Sequence, residues 1–571
     1  MARTNFLLLT IAIASTVLGE RALDDTFRLS EHVVPIEYDL KLTLDIHNDY
    51  GSQAASVNIL FKTLKEGVTK VTMHARDIKF IAVSLFDPET GKMTKLTYTT
   101  NNYQQSVTFA GINGALVVGK TYGLAIAYEY KSGYAPSDGI FSTTNYHMVA
   151  SLYMLKARKL LPCFDEPGFK APLRISMRAD HKRTNGFFPA VSNGRVASYH
   201  VGITYTETNF EQTPPLAPHE ISVAIPRRNI PRHKSKSDAP ESAVYNVGES
   251  EAYYLRSADY LRRLTLHYDT TYGVANPLKK VDWLQDNLLS WVYSWGASYG
   301  RFQPDNAAHS MAHHQFGSLV TARWWDDVWL MEGLSAYASA SALDAVRWPK
   351  GSSAKELRKM SAATARLYSD LDLALSSDIH YPKVNVLAYT KGGAVARMFA
   401  EFLGGHAQFA KRLGKYLDKY KYTSVTSADF VATVSEGDGT VATFLDDYIR
   451  QPGLPKLTIG YDALSKSFVL QQKSAVVRSE ATWPIPVFYK VKKGARKMAL
   501  FPKPVKNNVE FRLPLEKGAS AADYEFNPDL AAPILVEDAT KGAAGFSVPD
   551  ASQLDQLATE YAQSKQLQHL H

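Results

Sequence analysis

The segment from residue 308 to residue 337 constrains the fold of this 571-residue chain more than any other. Its first part has the pattern of a helix, on which His309 and His313 lie four residues apart. That spacing places both imidazoles on one face of the helix, one turn apart. Glu332 lies on a second helical run, residues 330–342, and two crossing helices can bring its carboxylate beside the histidines. Because two imidazoles and a carboxylate suit zinc, the sequence predicts a metal site of His309, His313 and Glu332.

The residue after the first histidine changes what such a metal site can do. In a catalytic zinc helix of the H-E-x-x-H type, this position holds the glutamate that acts as general base. Here it is Ser310. A serine hydroxyl is shorter than a glutamate and has no accessible pKa for removing a proton from water. The sequence therefore predicts a site that can hold a metal and cannot use it in the usual way.

The same segment resembles the zinc core of the aminopeptidase N-like zinc metallopeptidases, the gluzincins. In that family, eighteen residues separate H-E-x-x-H from a ligand glutamate within a W-W-x-D-x-W-L-x-E-G context. Eighteen residues also separate His313 from Glu332 here, and WWDDVWLMEG at 324–333 matches that context nearly letter for letter. The segment ARKLLPCFDEPGFKAPL at 157–173 is similar to a second family motif. The resemblance implies one bound zinc ion.

The resemblance also implies an α+β multidomain fold, with an N-terminal β-saddle, a thermolysin-like, mainly helical domain and a small C-terminal β-sandwich. Alternation of apolar and polar residues, as in 38–46 and 120–128, independently predicts strands in the first part. Helical periodicity follows, as in 257–272 and 357–371. The basic stretch after Pro226 is interpreted as a loop. The expected organisation is a signal peptide at 1–19, the β-saddle at 20–226, the zinc-site domain at 227–453, the β-sandwich at 454–540 and a tail with a short helix at 541–571.

Further site residues follow only from the resemblance. Tyr389 matches the family tyrosine that stabilises the developing oxyanion, and Asp327 matches a carboxylate that orients a zinc histidine. Tyr293 takes the place of the glutamate that binds the amino terminus of the substrate, and a phenol is neutral at pH 7. Ser151 and Tyr153 stand where a glutamine would grip the same amine. The resemblance thus implies that both amine contacts are lost.

Two other candidate reactive residues are interpreted as structural. Cys163 is the single cysteine, so an intrachain disulfide is excluded, and we expect a buried apolar residue and not a nucleophile. His314 follows the second ligand but points elsewhere on the helix, so we expect it to serve the fold.

The first nineteen residues have the pattern of a secretory signal peptide. Arg3 precedes an apolar run from Phe6 to Leu18, which is too short to span a bilayer comfortably. No later segment is apolar enough to cross a membrane, so we expect a secreted, extracellular protein. The net charge of +8 is modest for this length, and no basic stripe with interleaved aromatic residues occurs, which disfavours nucleic acid as a partner.

These features support three functional hypotheses. The favoured one is a secreted pseudoenzyme that retains zinc, lacks the general base and the amine anchor, and binds a peptide or protein or serves a structural role. The alternatives are a metalloaminopeptidase with weak or altered hydrolysis, and an extracellular storage or matrix protein with a vacant site. Relatives usually continue into a large helical domain, so the chain is expected to be a C-terminally truncated member. The oligomeric state cannot be read from the sequence.

Overall fold

The computed structural model describes most of the chain between residues 28 and 569. Residues 1–19 and Tyr293, the subjects of two of the predictions above, lie outside the described ranges. These ranges are 28–45, 51–134, 139–142, 147–180, 190–226, 231–235, 240–245, 250–284, 304–346, 351–369, 374–376, 383–477, 479–504 and 510–569.

The N-terminal region, up to residue 226, is built of strands. They are β1 (Val33–Asp45), β2 (Ser52–Thr63), β3 (Val71–His74), β4 (Lys79–Phe86), β5 (Met93–Lys95), β6 (Thr97–Asn101), β7 (Ser106–Ala110), β8 (Thr121–Lys131), β9 (Gly133–Tyr134), β10 (Gly139–Ser142), β11 (His147–Ser151), β12 (Leu173–Asp180), β13 (Val191–Ser192), β14 (Val196–Val201), β15 (Tyr205–Phe210) and β16 (Val223–Pro226). In β1, alternate side chains from Tyr38 to Leu44 are buried, as the period of two predicts.

Eight of these strands form one large sheet in the order β14-β15-β12-β1-β2-β8-β4-β5. Strand β1 lies near its centre and pairs in parallel with β12, with Tyr38 opposite Leu173, and antiparallel with β2. A second sheet has the order β13-β16-β11-β10-β9, and a third has the order β3-β7-β6. Their apolar faces share one core, which includes Leu40, Ile59 and Phe109. The predicted β-rich character of this region is confirmed.

The PCFDEP segment is held inside this core by paired charges. Arg158 and Asp165 are both almost fully buried, with 2.8 Å between Arg158 Nε and Asp165 Oδ2, and the guanidinium also donates to Asp165 O. Cys163 is fully buried, and burial raises the pKa of its thiol. The expectation of a buried cysteine is confirmed, and since the thiolate is the reactive form, the absence of nucleophilic reactivity stays a prediction.

Glu166 is the titratable group of this segment with the clearest stability consequence. Its side chain is 3% exposed, and it accepts a hydrogen bond from the Leu29 amide. Burial raises the pKa of the Glu166 carboxyl to about 7, although the Leu29 amide and the charge of Arg28 act in the opposite direction.

The basic stretch after Pro226 is not only a loop, and that prediction was wrong in part. It contains β17 (Arg232–Lys234) and the start of β18 (Glu241–Tyr245). Strand β18 pairs with β17 and, in parallel, with β19 (Lys280–Leu284), so the order is β17-β18-β19. Because these backbone groups find partners far along the chain, tertiary pairing overrides the loop composition here.

The region from Ser250 to Arg450 is mainly helical. Its helices are α1 (Glu251–Tyr272), α2 (Pro304–Ala312), α3 (Trp329–Ala342), α4 (Ser352–Ala363), α5 (Lys383–Phe402), α6 (His406–Tyr420), α7 (Ser427–Val434) and α8 (Gly439–Arg450). Two short strands, β20 (Thr321–Ala322) and β21 (Ser424–Val425), pair in parallel. Ser250 caps α1 by accepting from the Tyr253 amide, and Gly273, with φ of 69°, ends it in the left-handed conformation.

The C-terminal region returns to strands. They are β22 (Pro455–Asp462), β23 (Ser467–Ser474), β24 (Ile485–Val491), β25 (Lys497–Phe501), β26 (Glu510–Pro514), β27 (Tyr524–Phe526) and β28 (Leu535–Asp538). They form the sheets β26-β23-β22-β28 and β25-β24-β27. Phe468 of the first sheet contacts Phe526 of the second, with ring centroids 4.9 Å apart. The predicted α+β order of β-rich, mainly helical and β-rich regions is confirmed.

A last helix, α9 (Ala551–His569), follows the second β region. Its Ala558 and Tyr561 are buried in a cluster with Ala336 of α3 and Met360 of α4, and Tyr389 packs against that cluster. The predicted tail helix therefore contributes to a buried cluster with α3 and α4 and is not a loosely attached end.

The described chain folds as two compact units. One comprises Leu23–Trp324 with Tyr420–Val425, and the other comprises Trp325–Lys419 with Thr426–Leu570. The domain limits expected at 226, 453 and 540 stay predictions. Among the helices described, none has the length and apolar character that crossing a membrane requires.

We predict that Glu166 makes the protein less stable as the pH rises. A folded pKa of about 7 against an ordinary value of 4.5 means that the folded state retains a proton that the unfolded state has lost. Stability should fall between about pH 4.5 and pH 7, by up to about 3 kcal/mol. Glu166→Gln should flatten this dependence, which unfolding midpoints measured from pH 5 to pH 8 would show. Glu66→Gln, at an exposed glutamate of the same region, is the control, and an equal flattening by both variants would contradict the assignment.

Candidate metal centre

Helix α2 brings the two predicted histidine ligands together. The His313 amide donates to His309 O at 3.2 Å, so the helical turn continues through the second histidine. The two rings lie 4.4 Å apart between centroids at an angle of 83°, and the two Nε2 atoms are 2.9 Å apart. His313 is buried and His309 is half-buried. The two ring nitrogens therefore converge on one point.

The second nitrogen of His313 is held by the backbone. His313 Nδ1 lies 3.1 Å from Phe316 O, and a carbonyl oxygen can only accept, so Nδ1 carries the proton of that hydrogen bond. This leaves the Nε2 lone pair available to a metal. Ligand histidines are commonly oriented by such a carbonyl contact.

Helix α3 supplies the third predicted ligand. The ligand atoms of His309, His313 and Glu332 all lie within 4.8 Å of one another. Glu332 is 6% exposed. No other histidine, cysteine or acidic residue joins this group in the parts of the chain that the structure describes. The structure thus brings together the three residues that the sequence proposed as ligands.

The donor set and spacing suit a zinc ion. Tetrahedral zinc with Zn–N bonds near 2.0–2.1 Å sets two histidine nitrogens about 3.3 Å apart. The observed 2.9 Å between the Nε2 atoms needs an adjustment of only a few tenths of an ångström. His309 and His313 would supply two nitrogens and Glu332 one oxygen. Three protein ligands leave one coordination position open to water or another ligand.

The position of Glu332 is set by a close crossing of α3 and α5. A Cβ atom added at Gly333 would lie 2.8 Å from Gly392 Cα and 2.9 Å from Ala388 O. Only glycine allows the two backbones to approach this closely. Gly333 directly follows Glu332, and Gly392 lies three residues after Tyr389, so the crossing fixes both helices at the residues that matter for the site.

Asp327 has a different role from the one inferred by resemblance. Its Oδ2 accepts from the Ser427 amide at 2.9 Å, and its Oδ1 accepts from the Ser427 hydroxyl. The Ser427 oxygen in turn accepts from Trp329 Nε1 at 2.9 Å. Asp327 therefore ties the turn before α3 to the start of α7, while Phe316 O is the partner of the ligand histidine.

Three further residues that the sequence analysis singled out lie on different elements or have other partners. Ser310 lies on α2 directly after His309 and is half-buried. Tyr389 is half-buried on α5 and packs against the cluster that includes Ala336 and Tyr561. His314 is buried, and its Nδ1 accepts from Asn276 Nδ2 at 2.8 Å, which supports the structural role expected for it.

Sequence reasoning missed two basic residues near the ligand segment, Lys170 and His219. Lys170 Nζ donates to Ser318 O at 2.7 Å and to Leu319 O at 3.3 Å, so it holds the turn that follows His313. Burial lowers the pKa of the Lys170 ammonium to about 8, against the attraction of Glu220. His219 is buried with its ring 5.9 Å from that of Tyr153, and burial lowers its pKa. By exposure Lys170 is half-buried, and His219 is the fully buried one of the two. The position of Lys170 in the GFK part of a family motif was a signal for it, whereas nothing in the sequence pointed to His219.

We predict that Gly333→Ala destabilises the unit that contains α3 and α5. The new methyl group would overlap backbone atoms, which cannot move as a flexible side chain can. The expected cost is about 1–3 kcal/mol, measured as a lower unfolding midpoint. Gly439→Ala is the matched control, because a Cβ there meets no atom within 4 Å and Gly439 begins α8. A Gly333→Ala variant as stable as Gly439→Ala would refute the crossing as a constraint.

We predict that His313→Ala abolishes metal binding. Removing one of three protein ligands leaves two, which is too few to hold zinc tightly. Dialysed protein should contain about one zinc per chain in the parent and almost none in the variant, by elemental analysis. His200→Ala, at an exposed histidine of β14, should retain the metal. Equal zinc contents in the two variants would place the metal elsewhere.

Two family profiles match the chain. The "Peptidase M1 N-terminal domain" matches residues 34–218, and the "Peptidase family M1 domain" matches residues 303–448, so together they cover more than half of the chain. The second match contains His309, His313 and Glu332.

Full-length relatives agree with the profiles. "Aminopeptidase 2, mitochondrial" of Saccharomyces cerevisiae is 24% identical over 475 residues, covering 77% of this chain and 48% of the relative. "Glutamyl aminopeptidase" of Bitis rhinoceros is 24% identical, covering 81% and 52%. "Thyrotropin-releasing hormone-degrading ectoenzyme" of Mus musculus is 27% identical, covering 76% and 43%. The chain spans about half the length of the curated relatives it matches. Fold, ligand set and both profile matches agree, and this chain belongs to the M1 family of aminopeptidase N-like zinc peptidases.

Proposed function

We propose that this chain is a secreted pseudoenzyme of the M1 family, which holds zinc but does not hydrolyse peptides at an ordinary rate. Its role would be to bind a peptide or protein, or to contribute to an extracellular structure. The observation that carries the proposal is Ser310, which stands between the ligand histidines at the position of the general base.

The loss of that base removes a large part of the expected catalysis. Bound zinc would acidify a water molecule and polarise a carbonyl group. The proton of that water must still be accepted by a group with a suitable pKa, and a positioned base contributes typically about 100- to 10,000-fold. A serine hydroxyl cannot accept it near neutral pH.

The described carboxylates offer no evident replacement. Glu332 belongs to the ligand group, and no other acidic residue of the described ranges joins it. Asp327 is bonded through both oxygens to Ser427, and Asp165 is paired with Arg158. Asp327 and Asp165, one from each family motif, are thus committed to the fold.

The contacts that would orient a substrate amine also support the proposal. At the positions implied by resemblance, Tyr293 replaces a glutamate, and Ser151 and Tyr153 are the candidates for the place of a glutamine. The Tyr293 phenol is neutral, so it forms no ion pair with an ammonium group, and neither candidate for the other position is a glutamine. Poor positioning adds to the loss of the base, since a misplacement of about 1 Å can cost on the order of 100-fold in rate.

Secretion is part of the proposal and is supported by the N-terminal residues. Arg3 and the apolar run from Phe6 to Leu18 have the pattern of a cleavable leader. A tryptic map of the protein released from expressing cells would test this, since a secreted chain should begin after about Gly19.

A weak or altered peptidase is the second candidate. The specific observations in its favour are the intact group of His309, His313 and Glu332 and the presence of Tyr389 on α5. The relatives are named as aminopeptidases, and the ectoenzyme as one that degrades thyrotropin-releasing hormone. Measured turnover separates the two candidates.

We predict that zinc-loaded protein does not release the fluorophore from a panel of aminoacyl fluorogenic substrates above the rate in buffer. The physical reason is the missing proton acceptor at Ser310. Zinc content is measured on the same samples, so that absence of turnover cannot be confused with absence of metal. Ser310→Glu restores the base, and any gain in activity should disappear with His313→Ala, which removes a ligand.

Release that a chelator abolishes, at a rate near that of ordinary aminopeptidases, would refute the pseudoenzyme and establish the second candidate. In that case Ser310→Ala should be as active as the parent, because another group would be the base.

A further inference from the structure

We propose that the metal centre binds an anionic ligand, the carboxylate of a peptide or an N-blocked amino acid, and that Ser310 is the residue that makes this selective. The inference rests on the proposed function, because it assigns a ligand class to the same metal site. It departs from the family resemblance, which implies a site that receives a free amine.

The first argument is the charge at the centre. Zinc carries two positive charges, the two histidines are neutral as ligands, and Glu332 supplies one negative charge. A glutamate after His309 would bring the total near zero. With Ser310 in its place, zinc held by these three ligands would keep one uncompensated positive charge.

The second argument is that neighbouring carboxylates are already engaged. Asp165 forms a buried pair with Arg158, with Nε and Oδ2 2.8 Å apart. Glu220 Oε2 accepts from the Ala217 amide at 2.9 Å, which caps a short 3₁₀ turn. Neither is a member of the ligand group.

A basic side chain near the ligand histidines also favours an anionic ligand. Lys170 holds the carbonyls of Ser318 and Leu319, directly after the ligand segment. The charge of Lys170 acts on buried His219, whose surroundings also include Glu220 and Asp165. Of these two carboxylates, Asp165 is paired with Arg158, and Glu220 is attracted to the Lys170 ammonium, so bound zinc would still present net positive charge to an anion.

The chemistry of Ser310 is the third argument. Its hydroxyl can donate a hydrogen bond to an anion, whereas a glutamate carboxylate would repel it. Ser310 is half-buried, in a partly desolvated setting that strengthens such electrostatic contacts. By contrast, Tyr293 leaves a substrate ammonium without the glutamate ion pair that the family resemblance implies.

The test uses two small ligands that share the leucine side chain and carry free groups of opposite charge. N-acetyl-leucine has a carboxylate and a blocked amine, and leucine amide has an amine and a blocked carboxyl group. The full chain is loaded with Co²⁺ in place of zinc, because its visible absorption reports the ligands at the open position. We expect N-acetyl-leucine to change the spectrum in a saturable way and to bind at least tenfold more tightly than leucine amide.

A matched pair of variants isolates the charge at residue 310. Ser310→Glu and Ser310→Gln add side chains of nearly equal size, and only the first is negative. Both should retain cobalt, and Ser310→Glu should bind N-acetyl-leucine at least tenfold more weakly than Ser310→Gln. His200→Ala, far along the chain on β14, should match the parent.

Leucine amide binding as tightly as N-acetyl-leucine would overturn the inference, as would equal affinities in the two Ser310 variants. Absence of any spectral response to N-acetyl-leucine in cobalt-loaded protein would overturn it too. These outcomes are independent of turnover with zinc, which alone decides whether the chain is a pseudoenzyme. Carboxylate preference together with turnover would refute the proposed function and retain the ligand class.

Discussion

The close crossing of α3 and α5 at Gly333 and Gly392 is the contact on which the site depends. It places the backbone next to Glu332 against the backbone three residues after Tyr389, with no room for a methyl group at Gly333. Thr364, in the π-helical turn after α4, adds a hydrogen bond from its hydroxyl to Thr390 O at 3.2 Å. A ligand carboxylate can hold a metal only if its helix is fixed, because misplacement weakens coordination. The backbone contact at the two glycines thus holds in place the helices that carry Glu332 and Tyr389.

At the metal centre, the residues that would bind a metal differ from the residue that hydrolysis would require. Coordination needs His309, His313, Glu332 and the Phe316 carbonyl that orients one ring, and all of these are in place. Hydrolysis also needs a proton acceptor, for which Ser310 is unsuited. Since the missing glutamate also carried a charge, its replacement changes which ligand the open position favours. One substitution therefore bears on both the proposed loss of turnover and the proposed anion preference.

Much of the fold could be predicted from local patterns. Three local patterns could be predicted without a structure, because each depends on residues close in sequence. They are the alternation in β1 and β8, the periodicity of α1 and the histidine spacing on α2. Strands β17 and β18 were missed because β18 is stabilised by β19, about 35 residues later, and not by its own composition. The burial of α9 was missed as well, because its partners lie on α3 and α4. Long-range pairing leaves little trace in a local pattern.

The sequence by itself determined the ligand types, their spacing and the replacement of the general base by Ser310, since these are facts of residue identity. Only the tertiary structure decided the partners of those residues. In the folded chain, Asp327 accepts a hydrogen bond from Ser427, and His313 Nδ1 donates one to Phe316 O. The tertiary structure also places Lys170 on the carbonyls of Ser318 and Leu319, almost 150 residues away. The physical reason is that a hydrogen bond depends on where folding brings a donor and an acceptor, which residue type alone does not specify.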